Sequence, residues 1–371
     1  MHKFLQFDWI LLGAVFLLSG IGMLALYSIS PDAASGGYAA RQLLYFGVSI
    51  VGFFLFASFD YRHVQKYSTP LYFGMLLVLI GVLLVGRTVN GTEGWINLGI
   101  ARFQPVEAAK LILIIFLASF ISKKKTELGE LVRLWVSFLL SSMLIVLVLK
   151  QPDLGSALVL AGIWVGMIFI SGIRLRYFMA MVLIGIAVVA SGWFFLAPCQ
   201  KSRIMTVVDP QLDPRGSGYN VIQSMVAVGS GGMAGKGIGH GSQSQLNFLP
   251  EKHTDFIFSV IAEELGLIGS LLVVSLYGII LYRLSRIAQA SRDNLGYLVT
   301  VGVMIMIFIQ VAVNIGMNIG LLPVTGIPLP LLSYGGSSLV SVLLSLGLVM
   351  GIFVRKKGSA GLSVSMDRSL L

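Results

Sequence analysis

Apolar residues run in long blocks along this chain, with almost no alternation, and polar residues gather in the connections between them. A block of about 20 apolar residues is long enough to cross a bilayer as a helix. Ten such helices are predicted, near 8–28, 44–59, 70–86, 105–121, 134–149, 156–171, 177–196, 256–282, 297–321 and 338–354. Several fall short of a full span and must tilt, thin the bilayer or be buried by neighbours. The predicted class is all-α: one integral membrane domain over 1–371, with a long connection at about 197–255 between helices seven and eight and a tail at about 355–371.

Composition supports that class. Hydrophobic residues make up 56% of the chain and charged residues 11%, against roughly 25% charged residues in a soluble domain. The net charge of +10 raises the question of nucleic acid, but the basic residues sit in short connections and read as a topology signal. Every second connection is basic: Lys3; Arg62 and Lys66; Lys123, Lys124, Lys125 and Arg133; Arg174 and Arg176; Arg283, Arg286 and Arg292; Arg355, Lys356 and Lys357. Both termini are therefore expected in the cytoplasm and the 197–255 connection outside. The apolar run Trp9–Tyr27 is expected to stay as an uncleaved first helix. A single cysteine, Cys199, says nothing about redox compartment.

The unusual residues collect on the outer face. Leu249–Gly269 places Glu251, Lys252, His253, Thr254 and Asp255 at the mouth of an apolar run that also carries Glu263 and Glu264. The chain has only 16 acidic residues, and a carboxylate at membrane depth normally faces a bundle interior or a wet cavity. Asp255 reads equally as the cap of the following helix. Glu107 and Lys110, three apart after Pro105, read as a structural pair or as site residues. Asp153, in KQPDLGS, reads as a turn and helix cap or as a site carboxylate. Residues 219–228 space Val221, Ile222, Met225 and Val228 as a short amphipathic helix. The glycine-rich stretch 229–245 does not match a dinucleotide fingerprint and reads as a mobile, close-packed loop over the site. His240 and His253 lack the partners of a dedicated metal site. Leu321–Leu339, with three prolines, three glycines and the serines Ser333, Ser337 and Ser338, reads as a re-entrant wall beside Asp255 or as a loop above the membrane. Outer cations, among them Arg41, Arg102, Lys110 and Lys252, suit an anionic substrate or anionic headgroups.

The segments GIARFQPVEAAK (99–110), QPDLGS (151–156), GYNVIQSMVAVGSGGMAGKGIGHGSQSQLNFLPEKHTDFIFSVIAEELG (218–266) and PVTGIPLPLLSYGGSS (323–338) together resemble the SEDS family of shape, elongation, division and sporulation proteins over nearly the whole chain. GIPLPLLSYGGSS and GHGSQSQLNFLPEKHTDF are similar to its elongation type rather than its division type. The resemblance implies a peptidoglycan glycosyltransferase of the bacterial inner membrane that polymerises lipid II. It implies Asp255 as the essential acid, with Glu107, Lys110 and Asp153 in support, and further binding or supporting roles fall to Arg102, Arg41, Lys252, His253, Thr254, Glu263, Ser333 and Ser337. It also implies a divalent cation, Mg or Mn, without a fixed ligand set, and a class B penicillin-binding protein as partner. Three other readings stay open: a lipid II flippase with no chemistry, a scaffold that positions a partner synthase, and the division-type polymerase of the same family.

Overall fold

The computed structural model describes residues 7–30, 37–85, 87–89, 92–97, 102–122, 129–192, 201, 205, 217–246 and 248–367. Much of the 197–255 connection lies outside them, as does the side chain of Arg102. Ten long helices occur among the described residues, on the ten predicted spans. They are α1 (Trp9–Ser28), α2 (Tyr38–Ser58), α3 (Tyr61–Val85), α4 (Pro105–Ser122), α5 (Glu130–Lys150), α6 (Leu154–Ile170), α7 (Leu175–Gly192), and, after the short α8 (Ser217–Ser230) and α9 (Ser242–Gln245), α10 (Ile257–Gln289), α11 (Asn294–Asn318) and α12 (Gly336–Asp367). Eight are long and apolar enough to cross a membrane, and α6 is a shorter apolar helix. The chain is a multi-pass, almost wholly helical membrane protein.

Several boundaries differ from expectation for one reason. Hydropathy marks the apolar part of a helix, whereas the hydrogen-bond ladder continues through polar residues. Thus α2 starts at Tyr38 and α3 at Tyr61, with Pro70 inside the helix, although proline removes one ladder bond. Likewise α12 runs through most of the expected tail to Asp367. A small antiparallel sheet, β1 (Arg87–Val89), β2 (Thr92–Asn97) and β3 (Arg102–Phe103), occupies the connection before α4, in the order β1-β2-β3. It is the one sheet among the described residues, and Thr88, Val89, Thr92, Trp95 and Ile96 are residue types that favour strands.

The bundle is built around α4, α11 and α12, whose apolar stretches are the most buried. Helix α2 lies along α12, α10 along α11, α3 along α4, and α6 between α5 and α11. Asp8 caps α1 by accepting from Leu11 N at 3.1 Å. The same carboxylate receives Arg283 Nε at 2.9 Å, tying the start of α1 to the far end of α10. Helix α8 forms as expected and buries Val221, Ser224 and Ala227. It packs on α10 and α11.

Helix α10 is broken. Gly266 has φ 66° and ψ −161°, outside the helical region. The break takes Leu267 N and Ile268 N away from the ladder, and with them the partners of the Glu263 and Glu264 carbonyls. Residues 232–237 restore all four bonds. Leu267 N donates to Gly232 O at 2.9 Å and Ile268 N to Met233 O at 3.2 Å, while Lys236 N and Gly237 N donate to Glu263 O and Glu264 O at 3.0 Å each. A helix can be interrupted at membrane depth only where other groups satisfy its backbone in this way. Gly266 must be glycine, because a Cβ there would overlap the backbone of Gly235 and Met233. The glycine-rich stretch is thus a plug seated in a helix break, more firmly held than the mobile loop its composition suggested.

Candidate active site

Residues 251–256 form a tight turn ahead of α10. Thr254 N and Asp255 N both donate to Glu251 O at 3.1 Å, and Glu251 takes a left-handed φ of 49°. The N-cap of α10 is Phe256, with no side-chain cap bond. Asp255 precedes that cap position by one residue. Its partly exposed side chain lies beside Gly326, whose Cβ, were there one, would stand 3.7 Å from Asp255 Oδ2. Gly326 also has φ 73°, so both backbone and space call for glycine.

The backbone of Asp255 is fixed from α11. Asn314 Nδ2 and Asn318 Nδ2 each donate to Asp255 O at 3.0 Å. Asn314 Nδ2 also donates to Ile327 O at 2.8 Å, joining the turn to the irregular segment that follows α11. Asn318 Oδ1 accepts from Ser259 N at 3.1 Å and from Ser259 Oγ at 2.5 Å. Ser224 of α8 completes the network, 2.6 Å from Ser259 Oγ and 2.7 Å from Asn318 O. These four side chains are fully buried. A satisfied polar network in an apolar interior rigidifies what it holds.

The irregular segment 319–335 is buried in protein over Leu329–Ser333, as the re-entrant reading requires. Its polar backbone is answered at each step. Ser333 Oγ donates to Thr254 O at 2.5 Å and accepts from Leu329 N at 2.8 Å. Tyr334 N donates to His253 O at 2.9 Å. Gln42 of α2 donates to Ser333 O at 3.0 Å and accepts from Gly335 N at 3.2 Å. Tyr277 of α10 donates to Pro330 O. The His253 ring stacks on Tyr38, with centroids 4.3 Å apart, and Tyr334 tilts against it. Burial pushes the His253 imidazole below its usual 6.5, against the opposing charge of Glu251. Burial lowers Lys252 too, whose ammonium donates to the Ser244 carbonyl. Arg41 lies against the Tyr334 hydroxyl. Thr254 Oγ1 bonds back to Glu251 Oε2 at 3.2 Å.

Beyond the segment, the start of α12 gathers the other predicted residues. Ser337 Oγ accepts from Gln104 N at 3.0 Å, and Gln104 Nε2 donates to Asp153 Oδ2 at 3.3 Å. Asp153 is the N-cap of α6, accepting from Ser156 N at 2.9 Å. Glu107 and Lys110 form a buried ion pair at 2.7 Å, 3% and 1% exposed, and Ser341 Oγ donates to Glu107 O at 2.7 Å. Glu263 stands apart from this group. It is fully buried and accepts from Lys236 Nζ and Gln243 N at 2.9 Å and Ser244 N at 3.0 Å, so it pins the plug. Glu264 does likewise, accepting from Ser28 Oγ and from Gly239 N at 3.2 Å. Asn314, Asn318, Ser259, Ser224 and Gln42 were not singled out from the sequence. The signal was there for the first two: Gln310, Asn314 and Asn318 recur every four residues in an otherwise apolar helix.

Among the described residues, no three His, Cys, Asp or Glu side chains come together as a metal cage. The donor set therefore does not fit a cation held by the protein alone, and no chemical step is assigned to one.

The family model for cell cycle proteins of the FtsW, RodA and SpoVE type matches residues 5–358. The chain is 38% identical over 354 residues to the peptidoglycan glycosyltransferase MrdB of Escherichia coli strain K12, covering 94% of this chain and 95% of that one. It is 40% identical over 356 residues to the stage V sporulation protein E of Bacillus subtilis strain 168, covering 93% and 96%. The rod shape determining protein RodA of Thermus thermophilus is similar in structure at a TM-score of 0.70 and 32% identity, covering 94% and 97%. A chain from a peptidoglycan synthase complex that coordinates polymerization and crosslinking reaches a TM-score of 0.81 at 34% identity, covering 94% and 98%. A broken helix plugged by glycines, an aspartate held by two asparagines beside an irregular wall, and these likenesses along the whole chain lead to one conclusion: the chain belongs to the FtsW, RodA and SpoVE family, the SEDS proteins.

Proposed function

We propose that this chain is an inverting peptidoglycan glycosyltransferase that polymerises lipid II, with Asp255 as the general base. Family membership supports the enzyme class, since curated relatives carry the name peptidoglycan glycosyltransferase at 34–38% identity over most of the chain. The bond that breaks joins the donor's anomeric carbon to undecaprenyl diphosphate, already a good leaving group. Forming a β-1,4 bond from an α-linked diphosphate inverts the anomeric centre, so no covalent enzyme intermediate is needed. One base then suffices, taking the proton of the acceptor 4-hydroxyl. Glycosidases add a second carboxyl to protonate a poor leaving group; a diphosphate does not need one. Lys110, Arg102 and Arg41 are the candidates to stabilise the charge that develops on it.

The observation that carries the reading is the division of labour at Asp255. Its carbonyl is locked by Asn314 and Asn318, and its partly exposed side chain lies beside Gly326. A carboxylate on a fixed backbone is preorganised for proton transfer. The test is glycan product from lipid II supplied in detergent, where flipping is irrelevant. Product that depends on Asp255 supports the reading; product at the parental rate from Asp255→Asn removes Asp255 as the base, and no product from the unaltered chain leaves a flippase or a scaffold.

The GIPLPLLSYGGSS and GHGSQSQLNFLPEKHTDF motifs support the elongation type, with both termini cytoplasmic and Asp255 on the outer side. The strands need crosslinking, and the reading assigns this to a class B penicillin-binding protein that also activates the polymerase. Adding that partner to the purified chain should raise the rate of strand synthesis; an unchanged rate contradicts activation.

A further inference from the structure

At the end of the bundle away from Asp255, about 37 Å along α11 at 1.5 Å per residue, four chain segments reach the same level. Helix α2 ends at Ser58, α3 begins at Tyr61, α11 begins at Asn294, and Arg355 ends the apolar part of α12. A cleft of about 260 Å³ opens there, lined by Asp60, Tyr61, Arg62, Arg292, Ile352 and Arg355. Nothing in the proposed reaction uses it.

Its three guanidinium groups are held to different degrees. Arg355 is oriented by backbone: Nη1 donates to Gly351 O at 2.9 Å, Nη2 donates to Ser58 O at 2.5 Å, and Nε lies 3.9 Å from Asp60 Oδ1. Arg62 Nε lies 3.4 Å from Asp293 Oδ2, a carboxylate shared with the Tyr61 hydroxyl at 2.8 Å. Arg292 is exposed, and among the described residues no carboxylate lies within ion-pair distance of it. Three cations against two carboxylates leave the cleft with a net positive charge. A planar guanidinium fork matches phosphate oxygens in pairs, and the backbone bonds of Arg355 lower the ordering cost of using it.

We propose that this cleft binds the phosphate of an anionic phospholipid headgroup. The argument for a lipid over free phosphate is the apolar track that leads to it. Val48, Val51, Leu55 and Phe59 are exposed at three- and four-residue spacing along α2. The last of them immediately precedes Asp60 of the cleft. Acyl chain on the track and headgroup among the arginines is the arrangement by which basic pockets between membrane helices take anionic lipids.

The experiment titrates the purified full chain in detergent with phosphatidylglycerol, phosphatidylcholine or inorganic phosphate, and counts bound molecules by native mass spectrometry. One saturable phosphatidylglycerol is expected, weakened by added salt, with phosphatidylcholine not retained and inorganic phosphate at least tenfold weaker. Arg292→Gln, an exposed position, should fold as the parent does and bind phosphatidylglycerol about fivefold more weakly, the worth of one basic residue at an anionic surface; Arg292→Lys should recover most of the loss. Equal retention of both lipids overturns the proposal, as does parental affinity in Arg292→Gln. Inorganic phosphate binding as tightly as phosphatidylglycerol would assign the cleft to a free anion. The salt dependence and lipid preference of the unaltered chain decide the matter without any variant.

Discussion

Asn314 holds Asp255 by its backbone: one amide group donates to Asp255 O at 3.0 Å and to Ile327 O at 2.8 Å. The aspartate and the wall facing it are thereby positioned by a single side chain of α11. Removing the amide takes the donor from Ile327 O and leaves Asp255 O to Asn318 alone, at about 1–3 kcal/mol for an unsatisfied buried group. Asn314→Ala should therefore lower the unfolding temperature and reduce strand synthesis ~10- to 100-fold, since small misplacements of a reacting group are costly. The reduction should appear in kcat with little change in KM for lipid II. A rise in KM alone would mean that Asn314 serves binding rather than position.

The Glu107–Lys110 pair is buried on both sides. Breaking a buried pair leaves an uncompensated charge and costs about 3–5 kcal/mol, whereas replacing both partners by neutral groups is far milder. Lys110→Met should destabilise the chain strongly, and Glu107→Gln combined with Lys110→Met should recover most of the stability. If the pair serves the reaction, the double variant stays inactive despite folding. Recovery of synthesis together with stability would make the pair purely structural.

Gly266 should not tolerate a side chain. Gly266→Ala meets both a positive φ and the backbone of residues 233–235, so α10 must straighten and expel the plug, or shift it. The expected result is a loss of at least about 1–3 kcal/mol and new protease cleavage within 231–245, measured by thermal unfolding and limited digestion. An alanine variant as stable and as resistant as the parent would contradict the plugged break.

The depressed His253 imidazole makes stability depend on pH. Its folded value lies below the unfolded 6.5. Between the two values the unfolded chain binds a proton that the folded chain refuses. The contribution is fully present above pH 6.5 and is lost as pH falls below it. Thermal unfolding between pH 7.5 and 5.5 should show the decline, and His253→Phe, which keeps a ring against Tyr38, should flatten it. The same slope in the variant would place the titration elsewhere.

Much of the fold was legible because hydropathy blocks report membrane helices directly. The positions of Asp255 at a helix mouth and of 323–335 as an irregular wall followed from the cost of charge and of broken backbone at depth. What stayed hidden was long-range. The break at Gly266 depends on partners some thirty residues away, and one glycine in an apolar run carries no such signal. Asn314 and Asn318 carry no charge, so they stand out less at membrane depth than the acids, although their amides do the positioning. Glu263 shared the acidic signal of Asp255, yet its partners place it on the plug. The three-stranded sheet was too short to register between two spans.

The central claim is that the Asp255 carboxylate takes the acceptor proton. Asp255→Asn keeps the shape and the backbone bonds to Asn314 and Asn318 but cannot act as a base. Strand synthesis from lipid II in detergent, by protein checked for monodispersity and partner binding, is the most direct measurement. The expected result is a fall of ~10²–10⁴-fold in rate with folding unchanged; synthesis at the parental rate would contradict it and move the search for the base to Asp153 or Glu107.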